Sequence, residues 1–145
     1  SSGTATFTNT VFYGNTSSTS GSTRGSAAYI GASTTFNLYN SIVQASTSVY
    51  AVYGASGTGT HSYSNVYNTP GSAYGGTLSA GTGGVSSGSN FTAAACDGNA
   101  YNDNFSLRST SAGINAGNPA ASSNDADGTR NDMGAFGGPN GGWTL

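Results

Sequence analysis

Short segments that alternate apolar and polar residues recur along the first half of the chain. Three of them align at offsets of 31 and 24 residues, namely 5–12, 36–43 and 60–67. A weaker pair, 27–31 and 50–54, is offset by 23 residues. Side chains that alternate with a period of two are typical of a strand with one buried face. The pattern therefore predicts short recurring strands, separated by turns rich in Gly, Ser and Thr.

The alternation divides the three aligned segments into two faces. The more apolar positions are expected to face inward: Ala5, Phe7, Asn9 and Val11, then Phe36, Leu38, Asn40 and Ile42, then Thr60, Ser62, Ser64 and Val66. The more polar positions are expected to face solvent, and His61 is one of them. Four aromatic residues on that face form a candidate surface for a sugar ring or a protein partner: Phe12, Tyr39, Tyr63 and Tyr67. The alternative is that residues 70–90 fold back and cover them.

Matched strands that recur once per repeat favour a parallel β-solenoid of about three coils. A single coil cannot bury its apolar face alone, so stacked coils shield one another. The unequal offsets fit this fold because extra residues, such as 17–24, can leave a coil as a loop. A β-sandwich would instead show hairpin turns every ~8–12 residues. We therefore expect an all-β chain built of stacked coils.

Asn9 and Asn40 occupy equivalent positions in the first two aligned segments. Stacked one above the other, their amides would form a ladder that satisfies backbone and side-chain groups together. The alternative is that both are simple turn residues. We favour the ladder.

The second half of the chain has a different character. Residues 70–90 are rich in Gly, Ser and Thr and show little pattern, which indicates a long excursion that lies on the coils. We expect residues 1–69 to form the coils, and residues 70–145 to form a long loop and an irregular C-terminal cap of the same domain.

Three segments of the second half carry a family resemblance: 104–109, 112–119 and 125–139. They look like the C-terminal end of right-handed parallel β-helix proteins of the pectin-lyase-like superfamily, and most resemble secreted bacterial surface proteins of that group. Phe105 and Leu107 match the family's "YxL", and 112–117 match its "AIDAG", with Asn115 in place of the Asp. The resemblance implies a right-handed β-helix and a secreted, extracellular or cell-surface location, but no particular activity.

The composition excludes several classes of function. Only 6% of the residues are charged, against about 25% in an average protein. Three basic residues and a net charge of −2 leave no footprint for nucleic acid. No apolar run is long enough to span a membrane. Aromatic residues reach 11% and Pro contributes only three residues, which argues against disorder.

Catalytic residues are not identified, and an enzyme is disfavoured. Glycoside hydrolysis needs two carboxylates that flank the scissile bond, and no carboxylate lies on the recurring strands. An enzyme whose active coils precede Ser1 stays open. His61 is interpreted as a surface residue. Cys96 has no partner for a disulfide within the chain, so it is either buried or pairs between molecules.

Asp125, Asp127 and Asp132 lie within eight residues of one another and allow two interpretations. The Asp-x-Asp-Gly spacing resembles the start of a Ca²⁺ loop, so Ca²⁺ is the one cofactor considered. The favoured alternative is a set of Asx-turns, with Asp127 or Asp132 paired to Arg130 or Arg108.

Three Asn-x-Ser/Thr sequences, at Asn15, Asn90 and Asn104, are candidate glycosylation sites.

The expected function depends on the first predicted strand, which begins almost at the N-terminus with no apparent capping element before it. An open solenoid end exposes backbone groups and core that template another chain. Either the chain belongs to a longer β-helix, or another copy stacks on that end. We therefore expect a non-enzymatic extracellular β-helix protein, structural or adhesive, that self-assembles head to tail into filaments. The alternative is a carbohydrate-binding or carbohydrate-processing module at the C-terminal end of a larger enzyme, with an extracellular polysaccharide as partner.

Overall fold

The computed structural model of the chain describes residues 2–17, 24–47, 49–95 and 97–142. These residues are almost entirely strand, turn and bend, with single-turn 3-10 helices at Ala100–Asn102 and Ala121–Ser123. The strands within the described residues are β1 (Gly3–Thr8), β2 (Val11–Tyr13), β3 (Gly25–Ile30), β4 (Thr34–Tyr39), β5 (Ile42–Ala45), β6 (Tyr50–Gly54), β7 (His61–Ser62), β8 (Asn65–Asn68), β9 (Ser72–Gly76), β10 (Phe91–Ala93) and β11 (Asn104–Leu107).

The first nine strands form three parallel sheets in which every third strand is a neighbour. The sheet orders are β1-β4-β7, β2-β5-β8 and β3-β6-β9. The chain thus passes through the same three sheets three times, and we refer to β1–β3, β4–β6 and β7–β9 as the first, second and third triplets. β10 and β11 pair separately and antiparallel. The expectation of an all-β chain with stacked parallel strands is confirmed.

The register between the first two triplets follows the predicted offset of 31 residues in β1 and β2. Phe7 lies opposite Leu38 and Val11 lies opposite Ile42. The predicted offset of 24 residues to the third triplet is wrong by one, because Leu38 lies opposite His61 and Val43 lies opposite Val66. A slip of one residue moves each side chain to the other face of its strand.

The second predicted pairing, between 27–31 and 50–54, is also wrong by one. Ala28 lies opposite Val52, and Tyr29 lies opposite Tyr53. The register shifts between Gly25 and Ala28, and that irregularity hides the true offset from a sequence alignment.

A left-handed residue interrupts the alternation at the bend between the first and second strand of each triplet. Asn9, Asn40 and Tyr63 have φ values of 49°, 51° and 50°. Asn adopts this conformation more readily than other residues with a Cβ. The bend changes the phase of the chain, so that Leu38 before it and Val43 after it both join the inner core. The prediction that alternation continues unbroken through the bend is therefore wrong.

The buried side chains form two clusters. The inner cluster lies between the three parallel sheets and includes Phe36, Leu38, Val43, Val52 and Val66. The outer cluster contains Ile42, Phe91 and Met133, with Val11, Phe105 and Leu107 packed against it. Ile42 was predicted to face inward, but it is buried beneath the C-terminal segment instead.

The C-terminal residues pack along the side of the β2-β5-β8 sheet. The N–H of Gly134 donates to the carbonyl of Asn40 over 2.7 Å, and a Cβ at Gly134 would lie 3.0 Å from Ile42 Cδ1. Rings from both parts of the chain interlock, because Tyr13 meets Phe91 and Phe105 at centroid distances of 5.5 and 5.6 Å. Residues that are far apart in the sequence therefore pack together at the β2-β5-β8 sheet.

Candidate functional site

One end of the three sheets, formed by the edges of β1, β2 and β3, is open. Each of these strands has one neighbour, so among the described residues its other edge is unpaired. β1 is exposed at five of its six residues. Free N–H and C=O groups on an edge strand can pair with another chain. We call this surface the open end.

Apolar core reaches the surface at the open end. Phe7 and Phe12 meet edge to face with ring centroids 5.1 Å apart, and Phe36 of the next triplet lies 5.5 Å from Phe7. Phe7 and Phe12 stay half-buried, although both pack against the inner cluster. Phe12 was predicted to face solvent, and this prediction is wrong because the bend at Asn9 turns it inward.

A groove of about 360 Å³ opens at the same end. The residues that line it include apolar Ala5, Ile30 and Phe36, together with Tyr29 and Thr34. The open end therefore presents both hydrogen-bonding edges and an apolar recess.

The opposite end is closed over two of the three sheets. Gly81 donates its N–H to the carbonyl of His61 over 3.0 Å, and Val66 donates to the carbonyl of Val85 over 3.0 Å. Leu78 is buried against the inner cluster. Residues 70–90, which show no strand pattern in the sequence, thus supply β9 and then cover the third triplet. β9 keeps a free edge among the described residues.

A ladder of hydroxyl groups runs through the bends of the three triplets. The N–H of Thr10 donates to Ser41 Oγ and the N–H of Ser41 donates to Ser64 Oγ, each over 3.2 Å. Each of the three hydroxyls donates in turn to the carbonyl two residues before it: Thr10 to Thr8, Ser41 to Tyr39 and Ser64 to Ser62. Ser41 and Ser64 are fully buried. We call these three residues the hydroxyl ladder.

Thr10 ends the hydroxyl ladder at the open end. Its Oγ1 has the same donor bond as Ser41 and Ser64, but within the part of the chain that the structure describes it receives no N–H from a further strand. Sequence reasoning missed this ladder because Ser and Thr are common throughout the chain. The available signal was their recurrence at offsets of 31 and 23 residues.

The predicted amide ladder is replaced by anchors for the C-terminal segment. Asn9 Nδ2 donates to Asn131 Oδ1 over 3.3 Å, and Asn40 Oδ1 accepts from the N–H of Asn118 over 2.8 Å. Both residues occupy bends with positive φ, as the alternative turn interpretation requires. Their amides hold residues 118–134 against the sheets.

The acidic cluster forms turns. Asp127 Oδ1 accepts from the N–H and the hydroxyl of Thr129 over 2.9 and 2.7 Å, and these bonds hold the pKa of Asp127 below its usual range. Asp125 accepts from the N–H of Asp132, whereas burial raises the pKa of Asp132. Among the described residues, no three His, Cys, Asp or Glu side chains group as metal ligands would. This geometry fits the Asx-turn interpretation.

Arg130 and Arg108 bind main-chain oxygens. Arg130 Nε donates to the carbonyl of Gly117 over 2.8 Å, and Arg108 donates to the carbonyl of Thr92 over 2.8 Å. The turn interpretation predicts that Arg108 or Arg130 pairs with Asp127 or Asp132. The hydrogen bonds of both arginines described here go to backbone carbonyls instead. Arg108 also borders a cleft of about 430 Å³, and no carboxylate is among the described residues that line it.

His61 was predicted to lie on the surface, but its side chain is only 1% exposed. The one-residue slip in register turns it inward, where its ring stacks on Tyr74 at 5.3 Å and 24°. Its Nε2 lies 3.0 Å from the carbonyl of Phe36. Nδ1 of His61 and the hydroxyl of Tyr74 have no hydrogen-bond partner in the described structure. Burial lowers the pKa of His61 and raises that of Tyr74.

The remaining predicted aromatic surface is largely covered. A Cβ at Gly83 would collide with the ring of Tyr63, and one at Gly88 would lie 3.6 Å from the ring of Tyr67. Tyr39 is half-buried. For Tyr63 and Tyr67, these contacts agree with the alternative in which residues 70–90 fold over the aromatic side chains.

Another group of tyrosines lies at the surface of the β3-β6-β9 sheet. Tyr29 is 58% exposed and stacks on Tyr53 at 6.0 Å with 16° between the rings. Tyr50 lies 5.3 Å from Tyr53. We call these three residues the tyrosine face. Sequence reasoning missed it because the wrong register placed Tyr29 opposite Val52.

The candidate glycosylation sites differ in exposure. Asn15 is exposed, Asn90 is exposed but donates its amide to Thr110 Oγ1 over 3.1 Å, and Asn104 is half-buried in β11. Their modification stays a prediction. Cys96 lies outside the described residues, as do positions 18–23 of the loop predicted at 17–24.

Comparisons with known proteins give no match: no family model, no curated protein and no solved structure matches this chain. In the described part of the chain, no helix has the length and apolar character needed to cross a membrane.

Proposed function

We propose that the chain forms a right-handed parallel β-helix of about three coils, of the pectin-lyase-like type, with a non-enzymatic structural or adhesive role outside the cell. We further propose that its open end binds a second copy. The parallel pairing of every third strand supports the fold. The strands β1–β9 contain no Asp, Glu, Lys or Arg, which supports a role without catalysis on the sheets.

The observation that carries this proposal is the hydroxyl ladder and the way it ends. At two successive levels, a backbone N–H binds the hydroxyl of the next triplet. Thr10 Oγ1 offers the same acceptor at the open end. A second copy presents the segment that covers its third triplet at this position, and a backbone N–H of that segment would find a partner already oriented by the bond from Thr10 to the carbonyl of Thr8.

Burial of apolar surface is the second contribution to the proposed contact between copies. Phe7 and Phe12 are half-buried at the open end, whereas Leu38 and Val43 one level below are almost completely buried. A coil added at this end would remove the two rings from water, as each triplet does for the next. The groove beside them gives room for an apolar side chain of the incoming coil.

The two ends of the chain are different, so a contact between them is heterologous. In the open end all three sheets have a free edge, whereas at the far end β9 alone among β7–β9 is free of a covering segment in the described structure. We propose that β9 of one copy faces β3 of the next. A heterologous contact gives a closed ring or an open filament, depending on the rotation between copies. We propose that stacking sheet on sheet leaves it open and produces filaments.

A charge placed on β1 tests the proposal. Thr4→Lys puts an ammonium group on an exposed edge strand beside the groove, where it opposes edge pairing. We expect the wild-type chain to gain mass with concentration in sedimentation velocity and light scattering, and Thr4→Lys to stay monomeric.

The matched control is Ser122→Lys, which adds the same charge to an exposed residue of the 3-10 turn at Ala121–Ser123. It should assemble like the wild-type chain. A wild-type chain that stays monomeric at high concentration, or that stops at a dimer, would refute head-to-tail assembly. Equal assembly by Thr4→Lys and Ser122→Lys would show that the open end is not the contact.

A further inference from the structure

The tyrosine face places one aromatic ring on each strand of the β3-β6-β9 sheet. Tyr29 on β3 pairs with Tyr53 on β6, and their rings stack at 6.0 Å with 16° between them. Tyr53 pairs in turn with Gly75 on β9, which has no side chain to continue the row. The ring of Tyr50 takes that place, because it lies 5.3 Å from Tyr53 and a Cβ at Gly75 would be only 2.6 Å from its Cδ1. The rings therefore follow the sheet from the open end to β9.

The row of rings has a free side at each edge of the sheet. Tyr29 lies on β3, whose outer edge is unpaired among the described residues, and it is 58% exposed although one face of its ring stacks on Tyr53. It also borders the groove at the open end. At the other edge, the half-buried ring of Tyr50 lies over Gly75. The two free sides thus belong to β3 and β9, the edges that we propose to meet in the filament.

A filament that continues the sheet in register would join these two sides. If β3 of the next copy pairs with β9 as the strands pair within the chain, Tyr29 of that copy lies opposite Gly75. Neighbouring strands are about 4.8 Å apart, so its ring would reach the ring of Tyr50 at a distance typical of aromatic pairs. Ala28 of that copy would lie opposite Tyr74, so that a small residue meets a large one there as well.

Other registers lose this fit. A shift by one residue would place Tyr29 of the next copy opposite Tyr74, whose side chain points to the other face of the sheet. A shift by two residues toward the start of β9 would place it opposite Ala73, away from the ring that lies over Gly75. The register in which the rings continue is therefore the one in which the side chains fit.

We propose that Tyr29 of one copy packs against Tyr50 of its neighbour, over Gly75, and that this contact sets the register between copies. The inference rests on the proposed assembly, because it names the side chains that meet when β3 joins β9. It makes Tyr29 the residue that selects one pairing among those that free backbone edges would allow.

Variants of Tyr29 test the contribution of the ring. Tyr29→Ala removes it, and we expect the concentration needed for assembly in sedimentation velocity to rise about tenfold, the loss of one aromatic contact. Tyr29→Phe keeps the ring and should assemble like the wild-type chain. The matched control is Tyr101→Ala, which removes a fully exposed tyrosine from the 3-10 turn at Ala100–Asn102 and should leave assembly unchanged.

Photochemical cross-linking of tyrosines tests the register directly. An illuminated ruthenium tris-bipyridyl complex with persulfate takes one electron and one proton from each of two phenols. The two radicals then join through ring carbons, and persulfate is reduced to two sulfate ions. Unlabelled and isotope-labelled chains are mixed as monomers before assembly, so a linked peptide that carries both labels joins two copies. We expect mixed-label peptides to join Tyr29 to Tyr50, and links between Tyr29 and Tyr53 to carry a single label.

The outcomes separate this inference from the proposed assembly. A wild-type chain that stays monomeric refutes both. If the wild-type chain assembles, the inference alone is overturned when mixed-label peptides lack the link between Tyr29 and Tyr50, or when Tyr29→Ala assembles as readily as Tyr101→Ala. Loss of assembly in Tyr29→Phe would also overturn it, because the ring would then not be the group that matters.

Discussion

At the scale of single residues, His61 couples the interior of the chain to pH. It is the one histidine, and it lies against Tyr74 and the carbonyl of Phe36 in the inner cluster. Burial lowers its pKa because the imidazolium form would lose its hydration without gaining a counter-charge. If Nε2 carries the proton that binds Phe36, Nδ1 is left as a buried acceptor without a partner in the described structure.

We predict that the chain loses stability as the pH falls below about 6.5, the ordinary pKa of histidine. In that range the unfolded chain takes up a proton that the folded chain refuses, so the free energy of unfolding decreases until the folded pKa is reached. Urea denaturation between pH 8 and pH 5.5 measures this slope. His61→Phe should remove it, whatever its effect at pH 8. An identical slope in wild type and His61→Phe would contradict the assignment.

A few single residues show how far the buried or exposed position of a side chain can be predicted from the sequence. Phe36 and Leu38 are buried as the alternation predicts. His61 is not on the face that the alignment predicts, and Tyr29 lies opposite Tyr53 rather than Val52, because both expectations depended on the register with the neighbouring strand. That register is set by contacts about 23 residues away, and a one-residue error in the alignment reverses the conclusion.

At the scale of elements, the hydroxyl ladder joins successive bends. Each bend residue with positive φ is followed by Thr10, Ser41 or Ser64, whose hydroxyl turns back to the strand before it. The ladder therefore does at the bends what hydrogen bonds between strands do within the sheets. The ladder also explains why Ser and Thr recur at these bends, where the alternation does not continue.

We predict that Ser41→Ala lowers the free energy of unfolding by about 1–3 kcal/mol, because the variant leaves the N–H of Thr10 without its acceptor and removes the bond to Tyr39. Thr10→Ala should cost less, since its hydroxyl accepts no N–H within the described structure and is only half-buried. Denaturation at low protein concentration compares the two. Equal losses in both variants would show that the ladder does not end at Thr10.

The C-terminal segment is the element that sequence reasoning described least well. Its resemblance to a family motif indicated where it begins and which residues are special, but not which surface it covers. Its position depends on Asn9 and Asn40, which lie about 80–120 residues earlier in the chain and bind residues 118–134. No local period encodes such contacts, whereas the period of two within each strand is local and could be interpreted correctly.

At the scale of the whole molecule, the distribution of charge separates two regions. The parallel strands carry no Asp, Glu, Lys or Arg, while the acidic turns at 125–132 lie in the C-terminal segment on the side of the sheets. Contact between two open sheet edges would therefore meet little electrostatic repulsion. The proposed assembly depends on backbone pairing and apolar burial instead.

We predict that assembly of the wild-type chain depends weakly on salt. Raising the ionic strength from about 0.05 to 0.5 M shortens the range of surface electrostatics to a few ångströms, which changes contacts between charges but not pairing between neutral edges. Sedimentation velocity across this range should give the same mass distribution within a factor of about two. Thr4→Lys should respond more, because salt screens its added charge. A strong loss of wild-type assembly in salt would point to ion pairs as the contact.

The hydroxyl ladder has one further consequence, which concerns growth. Every rung has the same sense: the N–H of one triplet binds the hydroxyl of the next triplet along the chain, never the reverse. A filament that continues this order has polarity, with one tip that presents a hydroxyl acceptor and another that presents β9. Units that arrive at one tip dock through β9 and units that arrive at the other tip dock through the open end, so the two rates of elongation need not be equal although the contact formed is the same.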